Sequence, residues 1–255
     1  MFISSNLTLD IPLRIVSLVP SISELLHFLA LEKETVGITK FCIHPNEWYK
    51  TKKRIGGTKN LDLKIIRELN PTLIIANKEE NIKEQIELLA QEFPVFLTDV
   101  NNFDEGIKMI RDISQLTHTQ QKANKLIKNI NANRIVSFNL HKKKVAYLIL
   151  KDPYMVAAGN TFIDSMLSTA GLINVYSNKT RYPIVSIDEL NNSEAEIILL
   201  STEPYPFKKK HLSELSILFP SKKLFIADGE MFSWYGNRML NALHYFKDFQ
   251  KILSQ

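Results

Sequence analysis

Four short stretches of the chain hold the residue types from which a small-molecule site is built. They are Lys40-Phe41-Cys42-Ile43-His44-Pro45, Gly56-Gly57-Thr58-Lys59-Asn60, Lys151-Asp152-Pro153-Tyr154-Met155 with Gly159-Asn160-Thr161, and Asp228 to Gly236, which includes Phe232, Ser233, Trp234 and Tyr235. Aromatic and thioether side chains flanked by glycine supply wide contact with few directional bonds, which suits a flat, partly apolar ligand. Any one stretch is equally well explained as packing beneath a loop. Four of them at or near the ends of strand-like runs together favour a site. The candidate ligand contacts are Lys40, Phe41, His44, Gly57, Thr58, Tyr154, Met155, Arg181, Tyr182, Phe232, Trp234 and Tyr235.

More specific chemistries find less support. Gly56-Gly57 lacks the spacing of a dinucleotide or Walker loop, so no phosphate cradle is indicated. There is no Gly-x-Ser-x-Gly elbow. Cys42 and His44 are too close in sequence to read as a nucleophile and its base, and a buried thiol beside a loop histidine is the simpler account. The other histidines (27, 118, 141, 211 and 244) fall in or at the ends of helical patterns, leaving His44 alone at a strand end. A zinc or manganese site needs several converging ligands. No catalytic or metal residue is assigned.

The single cysteine excludes an intrachain disulfide. Hydrophobic residues make up 45% of the 255, enough for a buried core and for two domains of ordinary size. The net charge of +5 is spread over short lysine runs without interleaved aromatics, which argues against nucleic acid as a partner. No run approaches the roughly 18 apolar residues of a membrane span. The first twenty residues show no basic leader, apolar core and small-residue cleavage site, which predicts a cytoplasmic chain unless a signal precedes residue 1.

The elements that must position these residues alternate between strand and helix. Strands are expected at Arg14 to Leu18, Val36 to Thr39, Thr72 to Ala76, Val95 to Leu97, Lys144 to Leu150, Ile197 to Leu200 and Leu224 to Ala227. Ser21 with Glu24 reads as a capping box opening a helix through about Ala30. Further helices are expected at Leu63 to Leu69, Asn81 to Gln91, Phe103 to Leu116, Phe162 to Ala170 and Arg238 to Leu253, with Gly171 at a C′ position. Such alternation predicts parallel sheets and α/β lobes. Thr117 to Leu140 has no Gly or Pro and one apolar stripe, and as a helix would run about 30 Å. It reads as a rigid spacer. The expected division is an N-terminal lobe at 1–115, a linking helix at 116–141 and a C-terminal lobe at 142–255.

A weak repeat supports two lobes. KIIRELNPTLIIANKE (64–79) and SIDELNNSEAEIILLSTE (186–203) share a helix ending in Glu-Leu-Asn, a turn, an apolar strand and then an acid, Glu79 or Glu203. Ligands gather at the carboxyl ends of parallel strands, so both acids are expected near a cleft.

RIVSLVPSISELL, VGITKFCIHP and IGGTKNLDLKIIRELNPTLIIA together resemble the first lobe of the helical-backbone substrate-binding proteins of ABC importers, and the similarity is greatest to the cobalamin-binding branch. That resemblance implies two Rossmann-like α/β lobes joined by one long helix, with the ligand cleft between them. It implies a non-enzymatic, monomeric binding protein with no intrinsic cofactor, carrying cobalamin or cobinamide, heme or a ferric siderophore to an ABC permease. The family is normally exported. Its members dock through one acid on each lobe, which points to Glu84 or Glu80 in the first and to Glu203, with Glu214 behind it, in the second. Glu84 and Glu203 are both expected to be exposed. The alternative is a cytosolic corrinoid- or metallocofactor-handling protein or enzyme that kept the fold without export.

Overall fold

The computed structural model describes residues 1–5, 7, 12–135 and 142–253. The chain forms two compact units. One comprises Met1–Val100, Asp104–Lys128 and Tyr235–Asn237, and the other Asn101–Phe103, Asn129–Trp234 and Arg238–Gln255. Two of the divisions, at 103/104 and 128/129, fall within helices.

The first unit runs β1 (Ile15–Ser17), α1 (Pro20–Phe28), β2 (Thr35–Ile38), α2 (Asn46–Thr51), β3 (Lys53–Arg54), β4 (Gly56–Gly57), β5 (Asn60–Leu61), α3 (Leu63–Leu69), β6 (Leu73–Asn77), α4 (Lys83–Glu92) and β7 (Val95–Thr98). α5 (Phe103–Leu116) and α6 (Gln120–Ile135) follow. The main sheet has the order β3-β2-β1-β6-β7, and every pairing in it is parallel. All five residues of β6 are buried. A central parallel strand is covered on both faces, which is why its sequence is a continuous apolar run rather than an alternation. Val16, Leu18, Ile66, Ile74, Ile86 and Leu89 form the core with that strand.

The second unit runs β8 (Lys143–Leu150), β9 (Met155–Val156), α7 (Phe162–Thr169), β10 (Leu172–Asn174), α8 (Ile187–Asn192), β11 (Ile197–Ser201), α9 (Lys209–Leu218), β12 (Lys223–Ala227), α10 (Gly229–Ser233) and α11 (Arg238–Leu253). Its parallel path is β10-β8-β11-β12, with β9 antiparallel on β8. With the two-residue edge strand β3 set aside, the order second-first-third-fourth recurs in both units. The repeated segments occupy equivalent places, α3–β6 in one and α8–β11 in the other.

Local chemistry sets several boundaries. Asp62, Thr161 and Ser186 each accept a hydrogen bond from the backbone N–H three residues on, capping α3, α7 and α8. Gly171 takes φ 73 just past α7, as expected. The capping box at Ser21 is not formed. Val19 is the N-cap without a side-chain bond and Pro20 sits in the first turn, because proline's fixed φ and missing donor suit that position. The long helix also begins later than expected. His118 takes φ 56 and Thr119 N–H bonds to Ser114 O at 2.9 Å, which closes α5 before α6 opens. The 16 residues of α6 span about 24 Å, and residues 136–141 of the expected spacer lie outside those described. α2 was not anticipated, since its six residues are too short for periodicity to reveal.

Candidate functional site

In the first unit, the carboxyl ends of β1, β2 and β6 gather the glycine hairpin, the Lys40 stretch and the acidic turn. Sheet order reverses between β2 and β6 around β1, the kind of switch point beside which α/β sheets leave a crevice. β4 and β5 pair Gly56 with Leu61 and Gly57 with Asn60, so Thr58-Lys59 forms the tip of a tight hairpin. Gly56 takes φ 91, and a Cβ there would lie 2.4 Å from Asn60 O. Only glycine fits without moving backbone. Lys40 N–H bonds to Gly56 O at 2.8 Å, and the Phe41 ring and Lys40 stem lie against Gly57, 3.1 and 3.2 Å from where its Cβ would stand.

Phe41 remains 50% exposed, with the Lys40 ammonium 5.2 Å from its ring centroid. An exposed aromatic beside a cation is a surface ready for a ligand carrying both apolar area and negative charge. His44 is half-buried and Thr58 buried. Cys42 has no exposed surface, its Sγ lies 3.0 Å from Ser23 Oγ and 3.2 Å from Thr39 Oγ1, and burial pushes its thiol pKa up. It is a packed side chain in a position unsuited to nucleophilic work.

Two asparagines that sequence reasoning missed organise this surface. Asn77, the last residue of β6, is buried and accepts bonds at Oδ1 from the N–H groups of Glu79 (2.9 Å) and Glu80 (3.1 Å). Asn81 accepts from Asn77 N–H and donates through Nδ2 to Leu18 O (3.2 Å) and Thr58 O (3.1 Å). Asn81 is thus spent on backbone partners, which is why α4 starts at Lys83 rather than at Asn81. Asparagine next to a strand end was the available signal.

In the second unit, isolated bridges Met155↔Ile184 and Gly159↔Thr180 lay residues 155–159 alongside 180–184. Tyr154, Met155, Arg181 and Tyr182 are all half-buried on this ledge. Arg181 takes φ 64, and its N–H bonds to Gly159 O at 2.9 Å while its carbonyl accepts from Ala158 N–H. Tyr154 packs on Phe219 with centroids 6.3 Å apart, and burial raises its pKa. Ile184 is 62% exposed beside them.

The Asp228–Gly236 stretch departs from expectation. Phe232 has no exposed surface and stacks within 5.1 Å of Tyr147 and 4.8 Å of Phe246. It is a core residue, because α11 covers α10, and not the ligand contact expected from the sequence. Trp234 and Tyr235 are 8% and 6% exposed, so each offers an edge rather than a face. The Arg238 guanidinium lies 4.8 Å from the Trp234 ring centroid and pairs with Glu230 at 2.7 Å.

The acids differ in the same way. Glu84 is exposed in the first turn of α4, a favourable place for a negative charge. Glu80 is half-buried, and burial raises its pKa against the opposing pull of Lys59. Glu203 is half-buried, contrary to expectation. Gly229 leaves room for its Cγ, and its carboxylate accepts a hydrogen bond from Ser233 Oγ. Glu214 is exposed and paired with Lys151 at 3.0 Å.

A separate cavity of about 270 Å³ lies in the first unit between Pro12-Leu13, Leu31, Lys33-Glu34 and Thr117-His118. It sits at the amino ends of β1 and β2, away from the strand-end surface. Among the described residues no group of three or more His, Cys, Asp or Glu is arranged to hold a metal, and no helix is long and apolar enough to cross a membrane.

Residues 15–216 match the family model described as periplasmic binding protein. A vitamin B12-binding protein of Vibrio parahaemolyticus is 23% identical over 194 residues, covering 74% of this chain and 70% of that protein. The periplasmic vitamin B12 binding protein BtuF of Vibrio cholerae superposes with a TM-score of 0.79 at 18% identity, covering all of both chains. The periplasmic heme-binding protein RhuT from Roseiflexus in apo form superposes with a TM-score of 0.80 at 21% identity, covering 95% of this chain and 99% of that one.

Proposed function

Because the chain belongs to the periplasmic binding protein family, we propose that it is the cargo-binding component of an ABC importer and that its cargo is a corrinoid or an iron or tetrapyrrole chelate. The relatives named for vitamin B12 and heme support this cargo class. The observation that carries it is the exposed Phe41 beside Lys40 at the carboxyl ends of β1 and β2, matched in the second unit by the Tyr154-Met155-Arg181-Tyr182 ledge. On either surface aromatic faces would cover a flat ring system, and the basic residue there, Lys40 or Arg181, would meet carboxylate or phosphate groups on its rim. His44, Gly57 and Thr58 complete the first surface, and the edges of Trp234 and Tyr235 belong to the same reading. α6 is the linking element in this proposal.

Delivery would use the acids. Glu84, in the first turn of α4, is the first-unit docking residue, with Glu80 beneath it and Glu203 as the second-unit counterpart; each would meet an arginine of the permease. The test is the absorbance spectrum and mass of whatever co-purifies, followed by titration with hemin, cobinamide and cobalamin. Saturable binding of one of them supports the cargo class. Binding of none, together with no co-purifying chromophore, overturns it.

A further inference from the structure

The proposed cargo surface and the proposed docking segment of the first unit are tied together by side chains that neither role explains. Lys59 Nζ donates to Glu79 O at 2.5 Å, and Asn81 Nδ2 donates to Thr58 O at 3.1 Å. Gln85, one residue past Glu84, accepts at Oε1 from Leu61 N–H at 2.9 Å and donates through Nε2 to Lys59 O at 3.3 Å. The hairpin that supports Phe41 is thereby fastened at its tip, its turn and its exit to residues 79–85. The second unit repeats the plan with different residues. Ser233 in α10 donates to the Glu203 carboxylate, and Gly229 N–H bonds to Thr202 Oγ1 at 2.8 Å, so α10 is fastened to the turn after β11.

We propose that Asn81 and Gln85 are positioning residues that relay cargo occupancy from the Phe41–hairpin surface to the acidic segment 79–85, so that holding cargo stiffens the docking face. This rests on the reading of that surface as the cargo site. The physical reason is economical. Lys59 and Leu61 bond to residues on the docking segment rather than to their own strand neighbours, so any ligand that stiffens the hairpin stiffens its hydrogen-bond partners as well. Gln85 is half-buried and points its amide across the gap between hairpin and helix, where a surface glutamine would otherwise be solvated. Buried Asn81 fixes the start of the same segment from the other side.

The experiment is amide hydrogen exchange read by mass spectrometry on the full chain, with and without saturating hemin or cobinamide, for the parent, Gln85→Ala and Gln85→Glu. In the parent, probe binding is expected to slow exchange several-fold in peptides covering 55–61 and also in those covering 78–86. Gln85→Ala is expected to keep its affinity and its protection at 55–61 while losing much of that at 78–86, the Lys59 and Asn81 ties remaining. Gln85→Glu, which keeps the acceptor for Leu61 N–H but loses the donor to Lys59 O, is expected to recover part of it. Undiminished protection of 78–86 in Gln85→Ala, or none there in a parent that binds the probe, overturns the relay alone. Failure of the parent to bind either probe overturns the cargo reading and the relay with it.

Discussion

Replacing Phe41 and Phe232 separately by alanine distinguishes a ligand contact from a core residue that the sequence alone cannot tell apart. A phenylalanine side chain covers roughly 200 Å² when enclosed, and at 50% exposure about 100 Å² of Phe41 is open for a ligand to cover. At ~25 cal/mol per Å² the ceiling is ~2.5 kcal/mol. Ordering the side chain and the remaining alanine carbon reduce this to about 1–2 kcal/mol, a loss of affinity of roughly 5- to 30-fold. Stability should stay within about 0.5 kcal/mol, because the ring is largely solvated already. Phe232 reverses both expectations. It has no exposed surface and contacts Tyr147, Phe246 and Phe249, so truncation should cost about 3–5 kcal/mol of folding stability. The assays are urea unfolding monitored by circular dichroism, and titration of both variants with hemin and cobinamide under native conditions. If Phe41→Ala binds every probe as tightly as a parent that binds one of them, Phe41 is no contact. If Phe232→Ala keeps the parent's urea midpoint, its burial in the core is wrong.

Three further outcomes follow from the same geometry. Gly56→Ala forces a side chain onto φ 91 and into Asn60 O, so it should lower the unfolding free energy by about 1–3 kcal/mol in urea, whereas Gly57→Ala, which meets only the movable Phe41 ring and Lys40 stem, should weaken probe binding more than stability. Glu84→Lys should leave probe affinity intact and cost under about 1 kcal/mol of stability from the α4 dipole, while weakening binding to a reconstituted permease most strongly at low salt; unchanged docking would remove Glu84 from the contact. Burial pushes the Tyr245 pKa from 10.0 up to about 12, so the unfolded chain deprotonates first, and the stability this residue confers is complete below pH 10 and lost as pH climbs toward 12. Thermal midpoints measured across that window should fall, and Tyr245→Phe should flatten the fall; an equally steep fall in the variant would rule Tyr245 out as the cause.

What the sequence determined by itself was the set of elements and their class. Continuous apolar runs such as Leu73–Asn77 and Ile197–Ser201 can satisfy their backbone and bury both faces only as central parallel strands, and the 3.6-residue periodicity of Arg238–Leu253 can only be a helix. Family resemblance was legible because its marks are short local strings. Exposure was not legible, because it depends on what distant segments lay over a residue. Phe41 and Phe232 sit in similar aromatic stretches, yet one is open and the other is sealed by α11, whose place against α10 no local pattern encodes. The same holds for Glu84 and Glu203, one solvated and the other turned toward Ser233. Asn77, Asn81 and Gln85 look like ordinary polar residues along the chain. Only tertiary structure brings the hairpin, the end of β1 and the start of α4 within hydrogen-bond reach of them, because those bonds close loops of twenty to sixty residues whose ends meet only once the sheet has assembled.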